Sequence, residues 1–184
     1  MFHRYRLRCK LNPQAPQQLV QLPQNTKKGP LRHEPDFIVE QFTIQRMNAD
    51  GQIQSSLTAK KMTHYADDES TDLDAPRFVQ RNPDQPPMEA ISERGVITKD
   101  GETVFMKDNV VVTRAPTADR GPLVLKTTIL EVLPKDEIAR TDAPVVITEG
   151  TMQLEGTGMR VNSKTRDFEL LSKVRGKYQP EATK

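Results

Sequence analysis

The chain has 184 residues, enough for one domain with a hydrophobic core but too few for two large domains. Lysine and arginine outnumber aspartate and glutamate by only 27 to 25, so no strong positive field is available to attract nucleic acid. Hydrophobic residues make up 35% and aromatic residues 5%, which is lean for a closed core and compatible with a thin sandwich of two sheets. Basic residues gather only between His3 and Lys10, where a solvated terminus is the simplest interpretation.

The N-terminal region, residues 1–34, is predicted to be a disordered or extended leader. Its prolines interrupt regular hydrogen bonding and its apolar residues follow no period. The longest uncharged stretch, Leu11 to Thr26, contains three prolines and five glutamines, so we expect neither a signal peptide nor a membrane span there. Cys9 is the only cysteine, which excludes an internal disulfide and a cysteine-based metal site.

From Pro35 onward the chain has the pattern of β-strands. Asp50-Gly51 and Asp100-Gly101 are turn signals suited to hairpins, and apolar residues alternate with polar ones on either side. Turn signals recur about every 8–12 residues, as expected of an all-β sandwich, jellyroll or barrel. We predict an all-β domain with no long helix. Its main strand segments are Phe42–Gln45, Ile53–Lys60, Thr71–Val79, Met88–Thr98, Thr103–Thr113, Leu123–Leu133, Thr141–Ile147 and Phe168–Tyr178, with a proline-rich turn over Asn82–Pro87.

The residues offer little support for catalysis or metal binding. His64 precedes the acidic run Asp67–Glu69, which suggests a metal site or, more simply, an exposed turn, because metal sites gather ligands from several segments. Gly156-Thr-Gly158 lacks the Lys-Ser/Thr of a phosphate loop, and its glycines favour a bulge or a close approach between strands. We therefore predict that the protein is not an enzyme and uses neither a cofactor nor a metal.

Apolar residues that share one parity of the strands are predicted to face one interior. On these residues alone an ordinary sandwich core is favoured over a lipid-binding groove. The two interpretations differ in whether the sheets close on each other. The predicted interior residues that would line such a groove are Phe42, Ile44, Leu57, Phe78, Val104, Met106, Val112, Leu130, Val145, Ile147, Leu154, Phe168 and Leu170. Ala59, Met152 and Val174 are predicted to face the same interior.

Six segments, taken in order, carry a resemblance to a known family. They are Leu31–Phe37, Met62–Thr71, Ala75-Pro76, Ile138–Val145, Gly158-Met159 and Leu170–Tyr178. From about Leu31 to Pro180 the chain resembles the LptC family, the periplasmic component of the lipopolysaccharide-export ABC transporter. The resemblance implies a single twisted antiparallel β-jellyroll over residues 35–180, an open sandwich with an apolar groove, followed by a short tail over residues 181–184.

The same resemblance implies a function in lipopolysaccharide transport. Such a protein accepts lipopolysaccharide from the periplasmic jellyroll of the inner-membrane transporter and passes it to the next periplasmic jellyroll of the bridge to the outer membrane. The predicted interior residues then become candidates for the lipid-binding groove. The N-terminal strand would dock on the transporter and the C-terminal strand on the bridge protein. The candidate edge residues are Phe37 and Ile38 at the first edge and Ser172, Val174, Arg175 and Tyr178 at the second.

Family members are periplasmic and associate with the inner membrane through an anchoring helix. This chain has sequence rich in proline and glutamine where that helix would lie, so no anchor is evident. Two alternatives stay open. One is a structural β-sandwich interaction domain with a closed core and no lipid ligand, and the other is a soluble lipopolysaccharide chaperone.

Overall fold

The strands of the protein were assigned from a computed structural model that describes residues 33–82 and 85–178. These residues form eleven strands and no helix, which confirms the all-β prediction. Of the leader predicted over residues 1–34, residues 1–32 lie outside the described residues, and so does the tail predicted over residues 181–184. The strands are β1 (Pro35–Met47), β2 (Ile53–Tyr65), β3 (Thr71–Asp74), β4 (Arg77–Asn82), β5 (Gln85–Ile91), β6 (Arg94–Ile97), β7 (Val104–Arg114), β8 (Leu123–Leu133), β9 (Ile138–Glu149), β10 (Met152–Asn162) and β11 (Asp167–Tyr178).

All eleven strands belong to one antiparallel sheet that runs from β1 to β11. The long strand β2 pairs with β1 on one side and with both β3 and β4 on the other. The long strand β7 pairs with both β5 and β6 on one side and with β8 on the other. Four short strands thus fill two columns between β2 and β7. Among the described residues, β1 and β11 each pair with a single strand and form the free edges of the sheet.

The short strands differ from the prediction, which expected one continuous strand in each of the two segments. The segment Thr71–Val79 is broken at Ala75-Pro76, where Ala75 has a φ of 48° and Pro76 has no N–H to donate. The segment Met88–Thr98 is broken at Ser92-Glu93. The two breaks lie side by side, since the backbone N–H of Ala75 donates to the carbonyl of Glu93 at 2.8 Å. The predicted turn over Asn82–Pro87 is shorter than expected, because β5 already begins at Gln85.

The hydrophobic core lies in the middle strands of the sheet. Met106 and Val110 of β7 are completely buried, and Val145 of β9 and Met159 of β10 are nearly so. They belong to one cluster of side chains that come from β2 to β10. Strands β2–β7 form one part of the sheet and strands β8–β10 the other, and the inner faces of these two parts pack against each other as in a jellyroll. Burial of each such side chain contributes about 1.5–3 kcal/mol to folding.

Strand β1 changes its side-chain parity part of the way along. Phe42 pairs with Ala59 and Ile44 pairs with Leu57, so these two residues share the interior face with buried side chains of β2. Gln41 has a φ of 54°, and at this point the alternation of β1 shifts by one residue. Odd-numbered residues before Gln41 therefore face the same side as even-numbered residues after it.

Candidate functional site

The structure brings most of the predicted groove residues into one cluster. Eleven of the thirteen belong to the core or pack directly against it, and the exceptions, Ile44 and Phe168, are half exposed. The buried members are Leu57, Phe78, Val104, Met106, Val112, Leu130, Val145 and Ile147, and the partly buried members are Phe42, Leu154 and Leu170.

An apolar pocket with a cavity volume of about 80 Å³ lies within this interior. Only Phe78, Val112 and Leu130 of the predicted residues line it, together with Met159, Val161 and further side chains. An apolar cavity of roughly 150 Å³ is known to admit a benzene molecule, so this pocket has room for a few methylene groups. A whole acyl chain can enter only if the two parts of the sheet move apart.

The interior face of β1 stays uncovered at its outer side. Phe37, Val39 and Ile44 are 46%, 38% and 54% exposed, although the β2 residues opposite Val39 and Ile44 are buried. We call Phe37, Val39, Phe42 and Ile44 the β1 strip. It extends the apolar interior to the first free edge of the sheet.

The interior face of β11 is uncovered in the same way. Phe168 pairs with Val161 and Leu170 with Met159, so both lie on the interior face, and Phe168 is 49% exposed. A register shift with Lys173 at a φ of 52° leaves Val174 on the same face, and it is half exposed too. We call Phe168, Leu170 and Val174 the β11 strip. It extends the apolar interior to the second free edge.

The glycines of β10 set how closely β11 approaches. Gly158 has a φ of 78°, and a Cβ at this position would lie 2.8 Å from Cδ1 of Leu171. A Cβ on Gly156 would lie 3.3 Å from Cδ2 of Leu170. The pairing of β9 with β10 also shifts between Thr157 and Met159. The prediction of a bulge and a close approach at Gly156-Thr-Gly158 is confirmed.

The edge residues predicted for partner binding lie on the two free strands. Phe37 and Ile38 belong to β1, where Ile38 pairs with Thr63 and lies on the outer face. The others are all exposed and belong to β11: Ser172, Val174, Arg175 and Tyr178.

The histidines connect the start of β1 to β2 and the turn that follows it, and His64 pairs with Asp36 of β1. His64 Nδ1 lies 2.7 Å from an oxygen of Asp36, and its ring stacks on Phe37 with 4.6 Å between centroids. The hydrogen bond from His64 holds the pKa of Asp36 below its ordinary value. His33, missed by the sequence analysis because it falls in the predicted leader, stacks on Tyr65 at 3.9 Å.

His33 also has carboxylates near it. Its Nδ1 lies 3.1 Å from Asp67, and the ligand atoms of His33, Asp67 and Asp68 lie within 4.8 Å of one another. This spacing is compatible with a metal ion, but His33 and Asp68 are exposed, and exposed acidic groups commonly lie this close without a metal. Asp67 acts here as the hydrogen-bond partner of His33, and Asp68 accepts a hydrogen bond from the backbone N–H of Ser70 at 2.9 Å.

The described strands thus form a β-jellyroll whose apolar interior face continues to both free edges. The chain belongs to the LptC family: the family model described as lipopolysaccharide-assembly, LptC-related, matches residues 10–179. Membership assigns the protein to lipopolysaccharide transport and outer-membrane biogenesis, in a family that is periplasmic and associated with the inner membrane. Comparison with the curated proteins finds no match. Within residues 33–82 and 85–178 no helix has the length and hydropathy needed to cross a membrane.

Proposed function

We propose that residues 35–180 form a transfer domain that accepts lipopolysaccharide from the inner-membrane transporter and passes it to the next periplasmic jellyroll. The uncovered apolar face at both free edges is the observation that carries this proposal. A protein that only needed a closed core would gain stability by covering these side chains. The β1 strip and the β11 strip are placed where acyl chains could enter and leave the interior.

Transfer along an apolar surface is energetically favourable for acyl chains. Exposing a methylene group to water costs about 0.8 kcal/mol, so the release of a lipid with several acyl chains into water carries a large free-energy cost. An interior that continues across the joint between two jellyrolls avoids this exposure. The small size of the pocket implies that the two parts of the sheet separate when a chain enters.

The two free edges supply the means of docking. Each offers a row of backbone N–H and C=O groups to which a partner strand can add by β-augmentation. We assign the β1 edge, near Phe37 and Ile38, to the transporter. We assign the β11 edge, from Ser172 to Tyr178, to the bridge protein, since only the charges of Lys173, Arg175 and Lys177 oppose strand addition there.

Crosslinking from the two faces of β1 tests the lipid path. Ile44 and Ile38 are the same residue type on the same strand, 54% and 52% exposed, and they lie on opposite faces. A photo-reactive residue at position 44 should label lipopolysaccharide and one at position 38 should not. Residues deeper in the interior, such as Phe78 and Val112, should also give labelling.

The outcomes separate the alternatives. Equal labelling at positions 44 and 38 would remove the interior path. No labelling at any position, in an assay where a known carrier is labelled, would favour the structural domain with a closed core. Lipid transfer that proceeds without the transporter would favour the soluble chaperone.

A further inference from the structure

An unpaired polar group lies inside the apolar pocket. Gln80 of β4 pairs with Ser55 of β2 and Met88 of β5, and its side chain lines the pocket. Its amide nitrogen Nε2 is buried and has no hydrogen-bond partner among the described residues. A buried donor without a partner costs about 1–3 kcal/mol, and such groups are rare in folded proteins. The donor at Gln80 therefore points to an acceptor oxygen supplied by a ligand.

A basic cavity adjoins the apolar pocket. It has a volume of about 420 Å³, and Glu137 and Ser163 line both cavities. Arg81, Lys164 and Arg166 contribute three cations to its lining, which we call the basic mouth.

The cations of the basic mouth are not neutralised by carboxylates of the described residues. Arg81 donates to the hydroxyl of Ser56 at 3.2 Å, and Lys164 donates to the carbonyl of Lys135 at 3.4 Å. Glu137 is the one acidic side chain in the described lining, and it accepts a hydrogen bond from Gln54 at 2.7 Å. Three cations against one carboxylate leave the basic mouth suited to an anion.

We propose that this end of the jellyroll binds a phosphorylated, acylated amphiphile at the junction between its polar and apolar parts. The first methylene groups of the acyl chain occupy the apolar pocket, and the carbonyl oxygen of the ester or amide linkage accepts a hydrogen bond from Gln80 Nε2. The phosphate lies in the basic mouth. Gln80 lines the apolar pocket, and Arg81, the next residue of β4, lines the basic mouth, so the three features that such a ligand requires lie at one end of the jellyroll. This proposal rests on the proposed function, since it specifies how the same interior holds its lipid.

Two variants of the full chain test the two polar contacts separately. Gln80→Leu removes the buried donor and keeps a side chain of similar size. Lys164→Gln with Arg166→Gln removes two cations from the basic mouth. The matched control is Lys126→Gln with Arg160→Gln, which removes two exposed cations from β8 and β10 outside the basic mouth.

Binding is measured with lipid A, with lipid A from which the phosphates have been removed, and with inorganic phosphate alone. Gln80→Leu should weaken binding of both lipids by about 3- to 10-fold, the effect of one hydrogen bond. The Lys164/Arg166 variant should weaken binding of the phosphorylated lipid by about tenfold, or less at high salt, and should leave the dephosphorylated lipid unaffected. Inorganic phosphate should compete only at far higher concentrations, because it lacks the acyl chain.

Thermal unfolding of each variant keeps the test interpretable. Gln80→Leu should be at least as stable as the parent chain, because it removes an unsatisfied buried donor. If the parent chain binds lipid A and both variants bind it equally well, the proposal is overturned while the proposed function stands. If the parent chain binds neither lipid, the proposed function itself fails. Inorganic phosphate binding as tightly as lipid A would also overturn the proposal, since the site would then be a simple anion site.

Discussion

The central strands and the edge strands of this sheet differ in how far they bury the side chains of the same interior face. On β7, Met106 and Val110 are completely buried. On β1 and β11, Ile44 and Phe168 face the same interior and remain half exposed. The centre therefore carries the stability of the fold, and the margins keep apolar surface available for a ligand or a partner. Changes at the two places should separate stability from transport.

The largest expected effect is the loss of partner binding when one edge is blocked. Truncation before Phe168, or Ser172→Pro, should abolish capture of the bridge protein, because proline cannot donate to an added strand. Binding of the transporter through β1, near Phe37 to Ile44, should survive. The reciprocal variant Gln45→Pro should weaken transporter binding and spare the bridge protein. Pull-down of each purified partner gives the readout, and a truncated chain that stays folded and still captures the bridge protein would locate the docking edge elsewhere.

The next effect is on stability and contrasts the centre with the margin. Met106→Ala should lower the free energy of unfolding by about 2–5 kcal/mol, because it leaves a cavity in a fully buried position. Ile44→Ala should cost less than about 1 kcal/mol, because much of the side chain is already in water. Urea unfolding of both variants measures the difference. Equal losses would mean that the β1 strip is part of the core in solution.

The attachment of the margin to the centre is tested at Gly158. Gly158→Ala places a Cβ at a φ of 78° and 2.8 Å from Leu171, so we expect a loss of about 1–3 kcal/mol in the free energy of unfolding. Adding Leu171→Ala removes the 2.8 Å contact with Cδ1 but leaves the Cβ of residue 171 at 3.1 Å and the backbone strain in place, so it should restore only part of the loss. Complete restoration would show that the backbone conformation at Gly158 costs nothing.

Much of this architecture could be predicted from local sequence. The alternation of apolar and polar residues identified the strands. Asp50-Gly51 and Asp100-Gly101 marked turns that the structure confirms, with Gly51 at a φ of 76° and Gly101 at 68°. Eleven of the thirteen predicted residues lie in the core cluster or pack against it, because strand parity depends only on neighbouring residues.

The remainder depends on contacts that sequence does not encode locally. Nothing in the residue type of Gln41 indicates the left-handed backbone that shifts the parity of β1. The break at Ala75 did have a sequence signal, because Pro76 cannot donate a hydrogen bond within a strand. The apolar pocket exists only because distant strands pack together. Gln80 shares the strand parity of Phe78, but it lies beyond Val79, where the predicted strand ended, so it was not among the predicted interior residues. A polar residue two positions after a predicted interior residue is the sequence signal that could have identified Gln80.

A smaller effect concerns an ion pair that joins two central strands. Arg140 of β9 donates two hydrogen bonds of 2.6 Å to Glu131 of β8, which lowers the pKa of Glu131. In acid the unfolded chain then binds more protons than the folded chain. The contribution is present above the ordinary pKa of about 4.3 and is lost as pH falls through the lowered value. Glu131→Gln should flatten the fall of stability in acid by about 0.2–1 kcal/mol, measured by urea unfolding between pH 6 and pH 3. An unchanged acid slope would mean that the pair does not form in solution.

The smallest effect should be confined to the margin. Asp36 of β1 pairs with His64 of β2, and its lowered pKa means that this contribution too is present above about pH 3.9 and is lost as pH falls through the lowered value. Asp36→Asn should speed hydrogen exchange of amides at the start of β1 near neutral pH, while leaving the free energy of unfolding unchanged. The reason is that β2 is the one described strand with which β1 pairs, so β1 can open without disturbing the core. If exchange instead accelerated equally in β7 and β8, the centre and the margin would unfold as one unit. The inferred difference in stability between the central strands and the edge strands would then be wrong.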